Sequence, residues 1–148
     1  MSISFNNAQF QKQIEDVMKK CIKAGKDVPT KGAEIIDTVT DKLLEESVKR
    51  SPVDEGFLEG SHEKTVKKSR ILSNIEGHVF IPTNSPASDY AMYMHEAQYN
   101  LGERSKRKQA TLTVVVGRKF MERAFDENVR AFNLFIIKQF KEFFRNGK

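Results

Sequence analysis

The feature that most constrains the fold is an aromatic stripe in the last part of the chain. Seven of the 11 phenylalanines lie between positions 120 and 144. They recur with other apolar residues every three or four positions, which is the spacing of one face of an α-helix. Such a stripe is far more typical of a core or a subunit interface than of a cofactor site. We therefore predict a long C-terminal helix whose buried face carries Phe120, Ala124, Phe125, Phe132, Phe135, Ile136, Phe140, Phe143 and Phe144.

Two more helical patterns precede it in the first third of the chain. The first runs from Ser4 to Ala24, and Gly25–Gly32, which contains Pro29, is expected to break or bend it. The second should end near Arg50, because Pro52 disfavours helical geometry in the residue before it. The apolar faces of the two helices comprise Phe10, Ile14, Val17, Met18 and Cys21, and Ile35, Ile36, Val39, Leu43, Leu44 and Val48.

Strand-like patterns occupy the middle of the chain. Residues 71–81 alternate with period two, which predicts one strand or two strands around a turn near Glu76 and Gly77. Residues 62–69 give a weaker, edge-like signal. Thr111–Val116 is β-branched at five of six positions and is predicted as a further strand that Gly117 ends. The fold class is thus α+β: N-terminal helices, a small antiparallel sheet of three to four strands packed with one face on the helices, and the long C-terminal helix. Its 148 residues fit a single domain, 1–148.

The histidines do not have the spacing of a metal site. His62 and His95 each precede a glutamate, but the positions four residues later, where a zinc-binding helix needs a second histidine, hold Val66 and Tyr99. His78 has no neighbouring Cys or His in the sequence. We therefore predict no bound metal.

Other catalytic patterns are also missing from the sequence. The single Cys21 lies on an apolar helical face, where a thiol is inert unless its pKa is lowered. No Gly-x-Ser-x-Gly elbow occurs, and Gly56–Gly60 lacks the Lys-Ser/Thr of a phosphate loop. Asp54 and Glu55 are adjacent, so their carboxylates point in different directions. The prediction is a protein that is not an enzyme and has no cofactor.

Positive charge is concentrated in the last third of the chain. The net charge is +5, and residues 101–148 hold 12 basic and 5 acidic side chains. The densest run is Arg104, Lys106, Arg107 and Lys108, which we predict to be an exposed loop that becomes ordered on assembly. This loop could simply aid solubility, contact an acidic protein surface, or contact nucleic-acid phosphates. These three interpretations stay open.

The sequence gives no membrane signal. Met1–Asn7 lacks the basic and apolar regions of a secretory signal, so we expect synthesis in a cytoplasm. The most apolar stretch, Phe132–Phe144, contains three charged residues and is too short to span a bilayer, which takes about 20 apolar residues.

Three short segments stand out in the sequence, in this order: Ser51–Leu58, Tyr90–Glu96 and Gly117–Ala124. The first can be explained physically. Pro52 ends a helix, Asp54 can cap a turn, Gly56 permits a positive φ, and Leu58 returns the chain to the core.

Taken together the segments resemble the HK97 gp10-like family of tailed-phage neck and tail-completion proteins. Its members have a Pro-Val-Asp-Thr-Gly-x-Leu motif, a Tyr-Ala-x-Tyr-Val-Glu-Phe-Gly-like motif and a Gly-x-x-Phe-Leu-x-x-Ala motif that opens the last helix. The first is matched with Glu55 in place of Thr, and the third with Met121 in place of Leu. The second is matched in part, since Ala97 and Gln98 replace Phe-Gly. The resemblance covers about residues 35–130.

This resemblance implies a structural virion protein synthesised in the cytoplasm of a bacterial host. It would be a tail-terminator-like component that forms a ring, of six copies in the family, around the DNA channel at the head–tail junction. Its partners would be further copies of itself, the head connector or stopper, the tail-tube proteins, and DNA passing without sequence recognition. Arg104, Lys106, Arg107 and Lys108 would reach a neighbouring subunit or the tail tube. The residues expected to set the fold are Pro52, Asp54, Gly56, Leu58, Tyr90, Tyr93, Gly117, Phe120, Ala124 and Phe125.

A different class of protein stays open, namely a small basic nucleic-acid-binding protein. Such a protein would need exposed aromatic side chains among its basic residues, or a recognition helix. The predicted aromatic stripe lies instead on a face that is expected to be buried.

Overall fold

The computed structural model describes residues 2–4, 12, 15–16, 19–20, 27–68 and 74–146. These residues form β1 (Ser2–Ser4), α1 (Val28–Arg50), the single helical turn α2 (Phe57–Gly60), β2 (Glu63–Lys68), β3 (Ile75–Phe80), α3 (Ser88–Glu96), α4 (Glu103–Thr111) and α5 (Phe120–Asn146). The α+β class, the antiparallel sheet and the long C-terminal helix are confirmed.

Only part of the predicted first helix is described. Its first predicted residue, Ser4, lies instead in strand β1, and the other described residues are helical. Its apolar face and the glycine at position 25 lie outside the described residues. The described positions are Lys12, Glu15, Asp16, Lys19 and Lys20.

Helix α1 follows, and its ends agree with local chemistry. The Asp27 side chain accepts a hydrogen bond from the backbone of Thr30 at 3.1 Å, and this contact lowers the pKa of the Asp27 carboxyl. Pro29 lies in the first turn, where its missing N–H costs nothing. The helix break expected across Gly25–Gly32 is therefore wrong from Val28 onward, because α1 begins at Val28 and includes Gly32 as a buried residue. The helix ends at Arg50, as predicted from Pro52.

The sheet is antiparallel and has the order β1-β3-β2. Strands β2 and β3 pair over six residues each, from Glu63 opposite Phe80 to Lys68 opposite Ile75. The three residues of β1 pair with the other edge of β3. The expected number of three to four strands is not confirmed. Among the described residues, β2 and β3 are the strands of six residues, and β1 has only three. Glu76 and Gly77 lie inside β3, so the alternative of a turn at that point is wrong.

The predicted strand at Thr111–Val116 is also wrong. Thr111 is the last residue of α4, and the chain from Leu112 to Lys119 forms no strand. The Gln109 side chain takes the place of a neighbouring strand: its amide donates to the Val114 carbonyl at 2.9 Å and its oxygen accepts from the Val116 N–H at 2.7 Å. High β-propensity describes how a side chain fits a sheet, and here the backbone of Val114 and Val116 binds the Gln109 side chain and pairs with no strand of the described sheet.

Helix α1 is the centre of the molecule, because it packs against β2 and β3 and also against α5. The contact with β3 is close at Gly77, where a Cβ atom would lie 2.0 Å from Thr40 Oγ1. Only glycine fits there. The core between these layers is apolar, and its largest fully buried side chains include Phe120, Leu43, Met121, Ile136, Val28, Val39 and Val79.

Candidate functional site

The three segments singled out in the sequence, Ser51–Leu58, Tyr90–Glu96 and Gly117–Ala124, meet in space. We call their meeting point the three-segment junction. The fully buried ring of Phe120 lies at its centre. The ring of His95 meets that of Phe120 edge-on, with centroids 4.9 Å apart, and the ring of His62 meets it at 5.6 Å. His95 belongs to the second segment and Phe120 to the third, and His62 is connected to the first segment through the carbonyl of Leu58.

Backbone hydrogen bonds fix the third segment to the other two regions. The Gly117 N–H donates to the carbonyl of Arg50, at the end of α1, at 2.8 Å. The Lys119 N–H donates to the carbonyl of His95 at 2.7 Å. Both donors have left-handed backbone geometry, with φ of 123° at Gly117 and 59° at Lys119. This turn aims Phe120 into the junction as α5 begins.

An ion pair closes the junction on its outer side. Lys119 Nζ lies 2.7 Å from Glu96 and 3.0 Å from Glu122. Glu96 also accepts a hydrogen bond at 2.8 Å from Nδ1 of His95. These contacts with Lys119 and His95 lower the pKa of the Glu96 carboxyl.

The two histidines are buried, with 9% of His62 and 4% of His95 exposed. Nδ1 of His62 lies 2.9 Å from the carbonyl oxygen of Leu58, so the neutral ring donates from Nδ1. Nε2 of each ring is buried and has no hydrogen-bond partner among the described residues. Burial is the main cause that lowers the pKa of His62, and the neighbouring charge of Lys108 acts in the same direction.

This burial predicts that stability depends on pH. Because the pKa of His62 is lower in the folded state than its ordinary value of 6.5, the unfolded chain binds a proton more readily. The stability that the neutral, buried His62 contributes is complete above about pH 7.5 and is lost as the pH falls below about 6.5. We expect the free energy of unfolding to fall towards pH 5.5, by at most about 1.4 kcal/mol per pH unit from this one group. Urea unfolding measured at several pH values tests this.

The matched variants are His62→Asn, whose amide can replace Nδ1–H, and His78→Asn. His78 is half-buried and lies 3.2 Å from Glu76. His62→Asn should flatten the pH dependence, and His78→Asn should leave most of it. An unchanged slope in His62→Asn would contradict the assignment.

Arg50 is a second buried charged group beside the junction, and its side chain is only 3% exposed. Its guanidinium pairs with Glu46 at 2.5 Å and with Glu127 of α5 at 2.5 Å, and it also donates to the Glu46 carbonyl at 3.0 Å. Burial alone would lower the pKa of Arg50, but the hydrogen bonds to the two carboxylates raise it. Arg50 therefore ties α1 to α5 through charge. In the sequence pattern, Arg50 marks only the end of a predicted helix.

The basic run at Arg104–Lys108 is helical, so the predicted loop that orders on assembly is wrong. Helix α4 lies along the first segment. Its Ser105 hydroxyl, buried with 3% of the residue exposed, donates to the Val53 carbonyl and accepts from the Val53 N–H, both at 2.9 Å. Arg104 donates to the carbonyl of Asp54. This pairing orders the run within the chain itself.

Lys108 is also used internally. Its ammonium donates to the carbonyls of Val48 and Ser51, both at 2.7 Å, and pairs with Glu59. A cation at the carbonyl end of α1 is favourable because of the helix dipole. Lys106, which pairs with Glu103 at 3.1 Å, and Arg107 are exposed. Arg104 is exposed as well, so Lys108 is the one of the four basic residues that is half-buried.

The residues expected to set the fold divide into buried and exposed groups. Pro52, Leu58, Gly117, Phe120 and Ala124 are buried, and Phe125 is partly buried against the core. Gly56 has the expected positive φ, 90°.

The other three residues, Asp54, Tyr90 and Tyr93, are exposed. Tyr90 is 37% exposed and Tyr93 is 61% exposed. Both tyrosines lie on the side of α3 opposite its buried residues Ala91 and His95, and this position places them at the surface.

The exposed residues form a surface of their own, which we call the acidic-aromatic surface: Asp54, Glu55, Phe57, Asp89, Tyr90 and Tyr93. Phe57 is 49% exposed, and with Asp54, Glu55 and Tyr90 it lines a cleft of about 290 Å³ between the first segment, α3 and α4. Partial burial and the charges of Glu55 and Asp54 raise the pKa of Tyr90. Asp89 and Tyr93 continue this surface one turn along α3.

A second exposed surface lies on the far half of α5, which we call the basic stripe: Leu134, Ile137, Lys138, Lys141 and Arg145. These residues line a shallow groove together with Glu142. Leu134 is 61% exposed. The stripe is on the side of the helix opposite the buried Phe132, Ile136 and Phe140.

Among the described residues, no three His, Cys, Asp or Glu side chains lie together in a way that would hold a metal ion. Among the described helices, none is both long and apolar enough to cross a membrane.

Comparison with known proteins adds no relative. No protein-family model, no curated protein and no solved structure matches the chain.

Proposed function

We propose that this protein is a structural virion subunit of a tailed phage, a neck or tail-completion component that forms a ring around the DNA channel at the head–tail junction. The observation that carries the proposal is the three-segment junction. The second and third of the segments that resemble the HK97 gp10-like family meet where the ring of His95 lies 4.9 Å from that of Phe120, by centroid distance. The first segment is connected to this point through Leu58, whose carbonyl contacts His62. A shared packing role explains why these segments occur together.

The surface of the molecule supports a binding role. The aromatic rings of Phe57 and Tyr93 are 49% and 61% exposed, whereas other phenylalanines of the chain are buried in the core. Exposed aromatic residues beside polar ones are typical of protein–protein contacts, where Tyr and Phe are enriched. A ring subunit needs two different contact surfaces, one for each neighbour.

The partners follow from this role. Further copies of the chain would form the ring, with the connector or stopper on the head side and the tail-tube proteins on the other. DNA would pass through without sequence recognition. Arg104, Lys106 and Arg107, which are exposed on α4, are the residues of the basic run that could contact a neighbour or the tail tube.

The test is genetic and structural. Deleting the gene from its phage should leave DNA-filled heads and separate tails that do not join, and supplying the protein should restore joined, infectious particles. Electron microscopy of the purified protein should show rings with a central hole. Infectious particles from the deletion mutant would contradict the proposal.

A small basic nucleic-acid-binding protein is the second candidate, because Lys138, Lys141 and Arg145 lie along one exposed face of α5. Binding of this kind depends steeply on salt, since phosphate contacts release counterions. Retardation of generic duplex DNA that is strong at about 50 mM salt and lost by about 200 mM would favour this candidate. A ring subunit that binds no free DNA should give no retardation at either concentration.

A further inference from the structure

The acidic-aromatic surface and the basic stripe have complementary chemistry. The first carries three carboxylates, Asp54, Glu55 and Asp89, beside exposed aromatic rings, and Glu103 and Arg104 of α4 line the same cleft. The second carries three cations and one carboxylate around exposed Leu134. Each therefore combines apolar area with a net charge, and the two charges have opposite signs.

One copy of the chain cannot bring these two surfaces together. The acidic-aromatic surface is attached to the start of α5, where His95 of α3 packs on Phe120. Leu134 lies 14 residues beyond Phe120 on the same helix, which is about 21 Å farther along the helix axis, and Arg145 lies beyond it. Since α5 is one continuous helix, the separation is fixed.

We propose that the acidic-aromatic surface of one copy binds the basic stripe of the next copy. This inference rests on the proposed ring function and names the two surfaces that would form it. The contact is heterologous, because each copy uses a different surface towards each neighbour, and such a contact gives a ring when the rotation closes. Unlike charges set the register of the two surfaces, and the apolar residues are buried between them.

A second copy explains both surfaces, whereas nucleic acid would explain only one. Phosphates could bind Lys138, Lys141 and Arg145, but they would leave the exposed rings and carboxylates of the acidic-aromatic surface unused. The basic stripe also has Leu134, 61% exposed, beside its lysines. An apolar side chain in that position matches an aromatic ring better than it matches a phosphate backbone.

The test reverses the charge on one surface at a time. The first variant carries Lys138→Glu and Lys141→Glu, and the second carries Asp54→Lys and Asp89→Lys. The control carries Lys42→Glu and Lys67→Glu on α1 and β2, outside both surfaces. All six positions are exposed, so each variant should keep the wild-type melting temperature. Sedimentation velocity over a range of concentrations measures the assembly.

We expect the wild type and the control to assemble alike. Each reversal variant alone should assemble at least about 10-fold more weakly, because like charges then face each other across the contact. An equimolar mixture of the two reversal variants should assemble again, since each altered surface meets its complement. Mass spectrometry of the restored ring should show alternating, equal numbers of the two variants.

Other results overturn the inference in distinguishable ways. If the reversal variants assemble as well as the wild type, or if their mixture fails to assemble, the named surfaces are wrong and the ring function stands. If the wild type remains monomeric at about 1 mM, both proposals fail. If the lysine reversal abolishes DNA retardation and leaves assembly unchanged, the basic stripe is a nucleic-acid surface.

Discussion

Replacing Phe120 by alanine is expected to destabilise the protein by about 3 to 5 kcal/mol, the usual cost of removing a buried aromatic ring. Phe120 is 0% exposed and lies between the rings of His62 and His95. Removing it would leave a cavity at the three-segment junction. Those histidines cannot easily collapse into the cavity, because each has a polar contact of its own, at Leu58 and Glu96. Urea unfolding followed by circular dichroism at pH 7.5 measures the loss.

The matched variants are Val115→Ala, at an exposed position outside both named surfaces, and Phe120→Leu. Val115 is 55% exposed, so its truncation should change the free energy of unfolding by no more than about 0.5 kcal/mol. Phe120→Leu keeps most of the apolar volume and should cost about 1.5 kcal/mol. A loss below about 1 kcal/mol in Phe120→Ala would mean that the junction is not a centre of stability.

Replacing Arg50 by methionine is the second large change. Breaking a buried ion pair by removing one partner typically costs 3 to 5 kcal/mol, because a charge is left without compensation. Here we expect about 3 kcal/mol, the lower end, since Glu127 is 44% exposed and can be hydrated once Arg50 is gone. Glu46 keeps its contact with Lys49 at 2.9 Å. The loss should appear as a lower urea midpoint.

Two further variants separate charge from geometry. Arg50→Lys retains the charge but not the fork that reaches Glu46 and Glu127 together, so it should also be destabilising. Arg130→Met, at an exposed position of α5, is the control and should lie within about 0.5 kcal/mol of the wild type. If Arg50→Lys were as stable as the wild type, the link between α1 and α5 would depend on charge alone.

The long elements were predictable because their patterns are local. Helix α1 has apolar residues on one face and a proline after its last residue, and α5 carries a continuous aromatic stripe. The periodicity of each helix predicts which of its faces is buried, without knowledge of the element that packs against it. The weak signal of β2 was also correct, because an edge strand needs only one apolar face.

The errors arose where a tertiary contact overrides a local preference. Thr111–Val116 has the composition of a strand, but the Gln109 side chain binds the backbone of Val114 and Val116. The basic run has the composition of a solvated loop, but Ser105 and Lys108 hold it against the end of α1 as a helix. Ser105 and Lys108 bind partners 52 and 60 residues away, which no sequence window contains. Gln109 is only five and seven residues from Val114 and Val116, but no periodic pattern shows that its side chain binds their backbone.

The sequence by itself determined the long helices α1 and α5, the α+β class, and the three segments whose order gives the resemblance, because each depends on residues close together in the chain. Only the tertiary structure decided that α3 and α4 are helices, that His62 and His95 pack on Phe120, and that Tyr93 is exposed. It also decided that Arg50 is buried between two carboxylates of different helices. These facts depend on distances between remote residues, which are fixed by packing and are not encoded in any one segment.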